Sequence, residues 1–282
     1  MLNKKKTLVL KKSSQIKKPF SIRTLRVFSR HPSHKGLRKA IKLPFLACIR
    51  LGSTTAGTMS YKVQINSPEA IKNSANKLKM KECFQQNNVR TAEWCKVNEL
   101  NSWLNQDKFP IVIKHFYGSR GKGNYLIKTP EEFEQWKNGK TLSNYIYEKY
   151  YPYVREYRLH VTAEGCFYTC RKMLKEGTPE EEKWHRHDSN SVWILETNPS
   201  FDKPVNWNEI VEHCVKALNS VGLDVGACDV KVQSAKTNKG KTRETCDFIV
   251  LEINSAPAFG DLTLKKYKEE LPKLAKRLLN GK

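Results

Sequence analysis

From residue 109 onward, short apolar runs occur in pairs that are separated by brief turns, and this pattern strongly constrains the fold. Residues 109–114 and 124–127 flank a glycine-rich loop, and residues 157–162 and 166–174 flank a Glu-Gly turn. Apolar runs of this length on either side of a turn predict β-hairpins. Segments with helix signals lie between them. The sequence therefore predicts an α+β fold with much antiparallel pairing, unlike a regular βαβ array.

Helix-start signals define the elements between the hairpins. Ser67-Pro68-Glu69 supplies a hydroxyl cap, a proline at the first helical position and an acid in the first turn, which predicts a helix over 68–86. Lys77 lies on the flank of its apolar stripe. Similar signals predict helices that begin at 129–132 and 206–209. Further strands are predicted at 45–51, 144–147, 227–232 and 248–253.

The charge of the chain is large and unevenly distributed. The 282 residues include 51 basic and 28 acidic side chains, which gives a net charge of +23, and 16 of the basic but none of the acidic residues lie within the first 68 positions. This density of like charges predicts a flexible basic arm over residues 1–20. It also indicates an anionic partner such as nucleic acid or an acidic protein surface. The apolar content of 39% suffices for a hydrophobic core, which excludes a disordered tail.

The sequence gives no sign of a membrane or secretory segment. No apolar run approaches the ~20 residues that a membrane helix needs, so we expect no membrane partner. The eight scattered cysteines favour a reducing compartment, and we expect a cytoplasmic location, which is the host cytoplasm if the chain is viral. The acid-free N-terminus with its Arg and Ser residues is also typical of an organelle transit peptide, and that alternative stays open.

A glycine-rich, basic loop connects the two strands of the first hairpin. Gly118, Gly121 and Gly123 leave backbone N–H groups accessible to phosphate oxygens, and Arg120 and Lys122 add positive charge. A P-loop is excluded because Asn and Tyr follow the last glycine, where Lys and Ser or Thr are required. The alternative is an ordinary hairpin turn that needs glycine for its backbone angles.

The last predicted strand ends in two oxygen ligands. Period-two alternation predicts that Phe248, Val250, Glu252 and Asn254 share one face, so an apolar strand face ends in a carboxylate and an amide oxygen. Such ligands suit Mg²⁺, and Asp229 in the preceding strand supplies a second carboxylate. The alternative is that these side chains are solvent-facing polar strand ends.

Two arginines lie on the second predicted hairpin. Arg158 and Arg171 have apolar neighbours, and their planar guanidinium groups can bind a phosphate or a carboxylate at two points. For either arginine taken singly, structural pairing with Glu156 or Glu164 is the alternative.

In their order and spacing, these motifs resemble the ATP-grasp ligases, most closely the RimK-like and phage-encoded branch of carboxylate–amine ligases. The similarity runs from about residue 50 to 259 and comprises Arg50-Leu-Gly-Ser53, Ala75-Asn-Lys77, Pro110-Ile-Val-Ile-Lys114, the loop at 118–123, Tyr147-Glu-Lys-Tyr-Tyr151, Arg155-Glu-Tyr-Arg-Leu-His160, Asp229 and Leu251-Glu-Ile-Asn254. The resemblance implies two α+β subdomains, at 67–145 and 146–282, that enclose a nucleotide. A short basic N-terminal region, with a reduced pre-ATP-grasp segment at 21–66, would precede them.

The resemblance also implies roles for individual residues. ATP and Mg²⁺ would be the cofactors, with Mn²⁺ as the alternative metal, and Asp229, Glu252 and Asn254 would hold the metal. Arg158 and Arg171 would be catalytic and face the γ-phosphate or the reacting carboxyl group. Glu148 or Glu156 would lie near the ribose, and residues 148–151 would line the adenine pocket. The complete ATP-binding set would be Lys77, Lys114, Gly118, Ser119, Arg120, Gly121, Lys122, Gly123, Glu148, Lys149, Tyr150, Tyr151 and Glu156.

The implied reaction is the ATP-dependent formation of an amide or peptide bond through an acylphosphate. Its substrates would be a small-molecule or peptide carboxylate and an amine. Relatives of this kind normally have a fuller α/β domain before the first subdomain, whereas here only residues 1–66 precede it. Three alternatives therefore stay open: a kinase on the same fold, an inactive nucleotide-binding protein, and a nucleic-acid-binding protein that uses the basic arm.

Overall fold

The computed structural model describes residues 24–29, 31–57, 59–106, 108–118, 123–235 and 244–281. The basic arm predicted over residues 1–20 lies outside these ranges. Within them, none of the helices combines the length and the apolar character that a membrane span requires.

The N-terminal part of the described chain forms a small parallel sheet. Strands β1 (Leu25–Phe28), β2 (Ala47–Arg50) and β3 (Val63–Ile65) pair in that order, and helix α1 (Lys35–Ala40) lies between β1 and β2 in the chain. All four residues of β2 are buried, as expected for a parallel strand that is covered on both faces.

The helix predicted over 68–86 is in fact two helices, α2 (Pro68–Ala75) and α3 (Lys77–Gln86), so the single-helix prediction is wrong. Asn76 between them has the extended backbone angles φ −100° and ψ 113°. Its side-chain oxygen accepts hydrogen bonds from two backbone N–H groups in the first turn of α3. Asparagine competes with helix continuation in this way and is a favoured N-cap residue. Lys77 is therefore the first residue of a new helix.

A four-stranded antiparallel sheet follows. Strands β4 (Trp94–Cys95), β5 (Ile111–His115), β6 (Asn124–Ile127) and β7 (Tyr145–Lys149) pair in the order β4-β7-β5-β6. Helices α4 (Leu100–Leu104) and α5 (Pro130–Lys137) share a hydrophobic core with this sheet. The predicted hairpin at 109–114 and 124–127 is confirmed as the β5–β6 pair.

A five-stranded antiparallel sheet forms the second half of the chain. Its strands are β8 (Arg155–Thr162), β9 (Gly165–Leu174), β10 (Ser191–Leu195), β11 (Val225–Val232) and β12 (Phe248–Asn254), in the order β10-β9-β8-β11-β12. The predicted hairpin at 157–162 and 166–174 is confirmed as the β8–β9 pair. The strands predicted at 227–232 and 248–253 are confirmed as β11 and β12, which are neighbours in the sheet.

Two long helices complete the fold. Helix α6 (Trp207–Ser220) packs on one face of the five-stranded sheet and shares the largest hydrophobic core with it. Helix α7 (Asp261–Asn280) contributes Tyr267, Leu271, Leu274 and Ala275 to the core of the small N-terminal sheet. The other face of the five-stranded sheet lines a cleft between this sheet and the four-stranded sheet.

Candidate functional site

A cavity of about 480 Å³ lies between the four-stranded and five-stranded sheets. Lys77 at the start of α3 and Lys114 on β5 line it from one side. Asp229 on β11 and Glu252 and Asn254 on β12 line it from the other. Residues that are up to 177 positions apart therefore converge on a single cleft, as the sequence motifs require.

The register of the five-stranded sheet arranges charged side chains in two rows across its cleft face. In one row, Glu156 on β8 lies between its cross-strand neighbours Lys172 on β9 and Lys231 on β11. In the other row, Asp229 on β11 lies between its cross-strand neighbours Arg158 on β8 and Glu252 on β12. Asn254 follows Glu252 by two residues on β12. Positive and negative groups alternate in the first row, so each buried charge has an opposite neighbour.

Arg158 and Asp229 form a two-point ion pair on the floor of the cleft. The Nε and NH2 groups of Arg158 donate hydrogen bonds of 2.6 and 2.7 Å to the two carboxylate oxygens of Asp229. Burial alone would lower the pKa of Arg158, but Asp229 outweighs burial and raises it. The Asn254 amide donates to Asp229 at 3.3 Å and to Glu252 at 3.0 Å, which links the three predicted metal ligands.

A β-bulge in β12 turns Glu252 toward the cleft. Asp229 pairs with Glu252 and Val230 pairs with Val250, so Leu251 is an extra residue in the ladder. The prediction that Phe248, Val250, Glu252 and Asn254 share a face is therefore wrong. Phe248 and Val250 lie in the core with Ile253, whereas Glu252 and Asn254 face the cleft. A single extra residue reverses the alternation of all residues beyond it.

Glu252 is held in its charged form by the cations around it. Its Oε2 lies 3.8 Å from the Nζ atom of Lys77. Burial would raise the pKa of Glu252, but Lys77, the Asn254 amide, Lys114 and Arg158 together lower it to about 2. The carboxylate is therefore ionised at neutral pH and available to a cation.

Lys114 is part of a buried charge cluster on the opposite wall. Its Nζ atom lies 2.5 Å from Glu148 Oε2, and Lys81 Nζ lies 3.0 Å from Glu148 Oε1. Burial favours the neutral form of Glu148, but the two lysines outweigh burial and lower its pKa to about 2. Lys81 was not among the residues predicted from the sequence. It lies four residues after Lys77 on α3, and this helical spacing was the available signal.

Of the remaining predicted ATP-binding residues that the structure describes, all except Gly123 line the cleft. Gly118 accepts a hydrogen bond of 2.6 Å from Lys77 Nζ through its carbonyl oxygen. Gly123 has φ +76°, a backbone angle that favours glycine. Ser119, Arg120, Gly121 and Lys122 lie outside the described residues. The other cleft-lining members of the set are Lys149, Tyr150, Tyr151 and Glu156.

The comparison with protein families identifies this architecture. The model of the ATP-grasp domain matches residues 82–223, which is half of the chain. The chain belongs to the ATP-grasp family. A search of curated protein sequences found no significant match.

Solved structures show the same ATP-grasp fold at low sequence identity. The ATP complex of D-alanine–D-alanine ligase from Bacillus anthracis has a TM-score of 0.55 and 13% identity, and the alignment covers 83% of this chain and 78% of the ligase. Biotin carboxylase from Campylobacter jejuni has a TM-score of 0.56 and 15% identity, with 82% and 54% covered. N5-carboxyaminoimidazole synthetase from Staphylococcus aureus has a TM-score of 0.54 and 17% identity, with 75% and 54% covered. This chain thus spans about half the length of the last two proteins.

The donor set of the ATP-grasp cleft fits a hard divalent cation. Asp229 and Glu252 supply carboxylate oxygens, and rotation of the Asn254 amide would supply a third oxygen. Among the described residues, no three His, Cys, Asp or Glu side chains form a cluster that could hold a metal. Two carboxylates with an incomplete ligand set are typical of Mg²⁺ sites that are completed by water and substrate phosphates.

Arg171 does not line the ATP-grasp cleft, so the prediction that it faces the reacting groups is wrong. Arg171 is the cross-strand neighbour of Tyr157, so the two side chains share one face of the sheet. The Tyr157 side chain lies in the core, on the face away from the cleft. The NH1 group of Arg171 donates to the carbonyl oxygens of Ser200 and Phe201 at 2.6 and 3.2 Å and lies 3.6 Å from Asp202 Oδ2. Arg171 therefore stabilises the loop after β10.

The cleft position next to Arg171 is occupied by Lys172. Neither Lys172 nor Lys231 was predicted from the sequence as a site residue. Lys172 Nζ lies 4.0 Å from Glu156 Oε1, and Lys231 Nζ lies 4.0 Å from the centroid of the Tyr153 ring. Burial lowers the pKa of Lys231 to about 8, against the opposing effect of Glu156. Lys231 follows Asp229 by two residues, so strand alternation was the signal that could have identified it.

Proposed function

We propose that this ATP-grasp protein is an ATP- and Mg²⁺-dependent ligase that joins a carboxylate to an amine through an acylphosphate, as in the RimK-like branch. The observation that carries the proposal is the convergence of Lys77 and Lys114 with Asp229, Glu252 and Asn254 on one cleft, where Lys77 approaches Glu252 to 3.8 Å. A polyphosphate bridged by a cation is the ligand that such opposed charges suit.

The walls of the cleft supply the other contacts that a nucleotide needs. Val112, Ile249 and Leu251 form an apolar surface on which an adenine ring can pack. Of the two carboxylates proposed near the ribose, Glu148 is already paired with Lys81 and Lys114. Glu156 is the better candidate because its ion pair with Lys172, at 4.0 Å, is longer than the contacts of 2.5 and 3.0 Å that hold Glu148.

The protein residues act by positioning and by charge stabilisation. When bound, Mg²⁺ would neutralise phosphate charge and so make the γ-phosphorus accessible to a substrate carboxylate. Lys77 and Lys114 hold the phosphate oxygens, and Arg158 fixes the orientation of Asp229 through two hydrogen bonds. The acylphosphate is then attacked by the amine, and phosphate leaves. This route needs no nucleophile from the protein.

The proposal is tested by measuring ADP release from full-length protein with ATP, Mg²⁺ and a panel of amino acids, peptides and polyamines. Release that requires both a carboxylate and an amine, with stoichiometric amide product, is the expected result. Phosphorylation of a substrate without any amine requirement would indicate the kinase alternative. Nucleotide binding without turnover across the panel would favour the inactive nucleotide-binding alternative.

Adjacent substitutions at Arg171 and Lys172 distinguish the two faces of the sheet. We expect Arg171→Met to lower the free energy of unfolding by about 1–3 kcal/mol, because the carbonyl groups of the loop after β10 lose their donor. Its Kd for ATP should change by less than about twofold, whereas Lys172→Met should weaken ATP binding by about tenfold because a cleft cation is lost. Titration with a fluorescent ATP analogue and denaturant unfolding measure the two effects. Equal losses of ATP affinity would contradict the assignment of faces.

We also propose that the basic N-terminal arm binds nucleic acid independently of the cleft. The supporting observation is the acid-free composition of the first 68 residues, in which Lys35, Arg38, Lys39 and Lys42 are exposed where the structure describes them. Deleting residues 1–20 removes seven lysines. The slope of log K for duplex DNA against log salt should then become shallower by up to about 6. An unchanged slope would contradict this proposal, and ATP affinity measured in parallel should be retained.

A further inference from the structure

Each of the two lysines proposed to hold phosphate already faces a carboxylate. Lys77 Nζ lies 3.8 Å from Glu252 Oε2, and Lys114 Nζ lies 2.5 Å from Glu148 Oε2. A carboxylate at this distance offsets the attraction between the lysine and a phosphate group. At Glu252 the proposed metal would cancel the negative charge, whereas Glu148 is not part of the metal site. The charge of Glu148 therefore has to be balanced by the protein.

Lys81 supplies a second cation to Glu148 from beneath the cleft. Its Nζ atom lies 3.0 Å from Glu148 Oε1, the carboxylate oxygen that Lys114 does not contact. The Lys81 side chain is 0% exposed, and the described residues that line the cavity do not include it. Lys81 can therefore influence a bound nucleotide only through the side chains above it, Glu148 and Lys114.

A chain of hydrogen bonds holds Lys81 in this position. Its ammonium group donates to the Thr91 hydroxyl, which in turn donates to the Val250 carbonyl on β12 at 2.9 Å. Moving Lys81 toward a ligand would break these bonds in a buried site, which is costly. Lys114 lines the cavity, and its ammonium group has three N–H donors, so it can contact Glu148 and a phosphate together.

We propose that Lys81 is a positioning residue for ATP, which remains the counterion of Glu148 and so leaves the charge of Lys114 available to the phosphate groups. With Lys81, the cluster of two lysines and Glu148 carries one net positive charge, and without Lys81 it carries none. The proposal rests on the nucleotide-binding part of the proposed function and does not require ligation.

The electrostatics of the cluster agree with this role. Burial lowers the pKa of Lys81, and the adjacent Glu148 carboxylate opposes that effect. The pKa of Glu148 is itself lowered to about 2, because Lys114 and Lys81 outweigh its burial. Glu148 is therefore ionised at neutral pH, and it favours the charged form of the lysine beside it.

Lys81→Met tests the proposal because it removes the charge and keeps an unbranched side chain of similar size. Glu148 retains Lys114 as its partner, so no buried charge is left unpaired and the variant should fold. We expect the Kd for ATP with Mg²⁺ to rise about tenfold and the Kd for adenosine to change by less than about twofold. Isothermal titration calorimetry on full-length protein measures both constants. Lys79→Met, at an exposed position of the same helix, is the control and should change neither.

A second substitution tests whether the lost affinity depends on Glu148. Adding Glu148→Gln to Lys81→Met restores one net positive charge, which is now that of Lys114 alone. The ratio of the adenosine Kd to the ATP Kd should then return to within about twofold of the wild-type ratio. The ratio cancels any contact of Glu148 with the base or the ribose. A packing defect at position 81 would not be corrected by a second change in the same buried site.

A charge-conserving variant gives an independent comparison. Lys81→Arg keeps a cation beside Glu148, so it should bind ATP at least about threefold more tightly than Lys81→Met. Thermal unfolding of each variant verifies that it is folded at the temperature of the titration.

Several results would overturn the role of Lys81. Unchanged ATP affinity in Lys81→Met would show that its charge does not reach the phosphate groups. Equal losses for ATP and adenosine would assign Lys81 a purely structural role, and failure of Glu148→Gln to restore the ratio would reject Glu148 as the link. Absence of ATP binding by the wild-type protein would reject this proposal and the proposed function together. The expected affinities in a protein that forms no amide product would reject the ligase function and retain the role of Lys81.

Discussion

Replacing Glu252 by glutamine is expected to lower ATP turnover by about 10²–10³-fold, because the metal loses a charged ligand worth several kcal/mol to the transition state. Glutamine has the same size and hydrogen-bonding reach, so the fold should be retained. The wild-type carboxylate has a pKa of about 2 and is ionised at neutral pH. Turnover is measured as ADP release at saturating ATP over a range of Mg²⁺ concentrations.

Glu252→Gln should not weaken the binding of metal-free ATP. Lys77 Nζ lies 3.8 Å from Glu252, and the amide of glutamine no longer competes with phosphate for that lysine. Metal-free ATP should therefore bind the variant at least as tightly as the wild type, which general damage to the site would not produce. Glu269→Gln on the exposed side of α7 is the matched control and should leave turnover unchanged. Unaltered turnover or Mg²⁺ dependence in Glu252→Gln would reject the assignment of Glu252.

The strands and their pairings were largely predictable because each hairpin combines local signals. The apolar runs on either side of residues 118–123 and of the turn at 164–165 identified β5–β6 and β8–β9. The convergence of Lys77, Lys114, Asp229, Glu252 and Asn254 on one cleft was predicted only through the resemblance to ATP-grasp ligases. No local pattern relates segments so far apart in the chain.

Two of the three wrong predictions share one physical cause, which is a shift of a single residue in a regular repeat. The extra residue Leu251 reverses the faces of β12, and strand alternation alone cannot reveal a bulge. Arg171 and Lys172 are adjacent cations, and only the register of β9 against β8 decides which one faces the cleft. At Asn76, a capping hydrogen bond outweighs the helical pattern on either side. Such choices depend on tertiary contacts that composition and periodicity do not contain.

The buried cluster of Glu148 with Lys81 and Lys114 leads to the second large effect. Glu148→Gln is expected to lower the free energy of unfolding by about 3–5 kcal/mol, because it removes the shared counterion of two buried lysines. Lys81 is fully buried and lies 3.0 Å from Glu148. Denaturant unfolding at pH 7 measures the loss. Glu134→Gln, on the exposed face of α5, is the control and should change stability by less than about 0.5 kcal/mol.

The pH dependence of stability separates this ion-pair effect from a simple packing defect. The pKa of Glu148 falls from 4.5 to about 2 in the folded protein because Lys114 and Lys81 outweigh the effect of burial. A lowered pKa in the folded state stabilises the protein above about pH 4.5, and that contribution is lost as the pH falls toward 2. The stability difference between wild type and Glu148→Gln should therefore be largest near neutral pH and shrink over this acidic range. A difference that stays constant from pH 7 to pH 2 would show that glutamine perturbs packing, and that Glu148 contributes nothing as a charged partner of the two lysines.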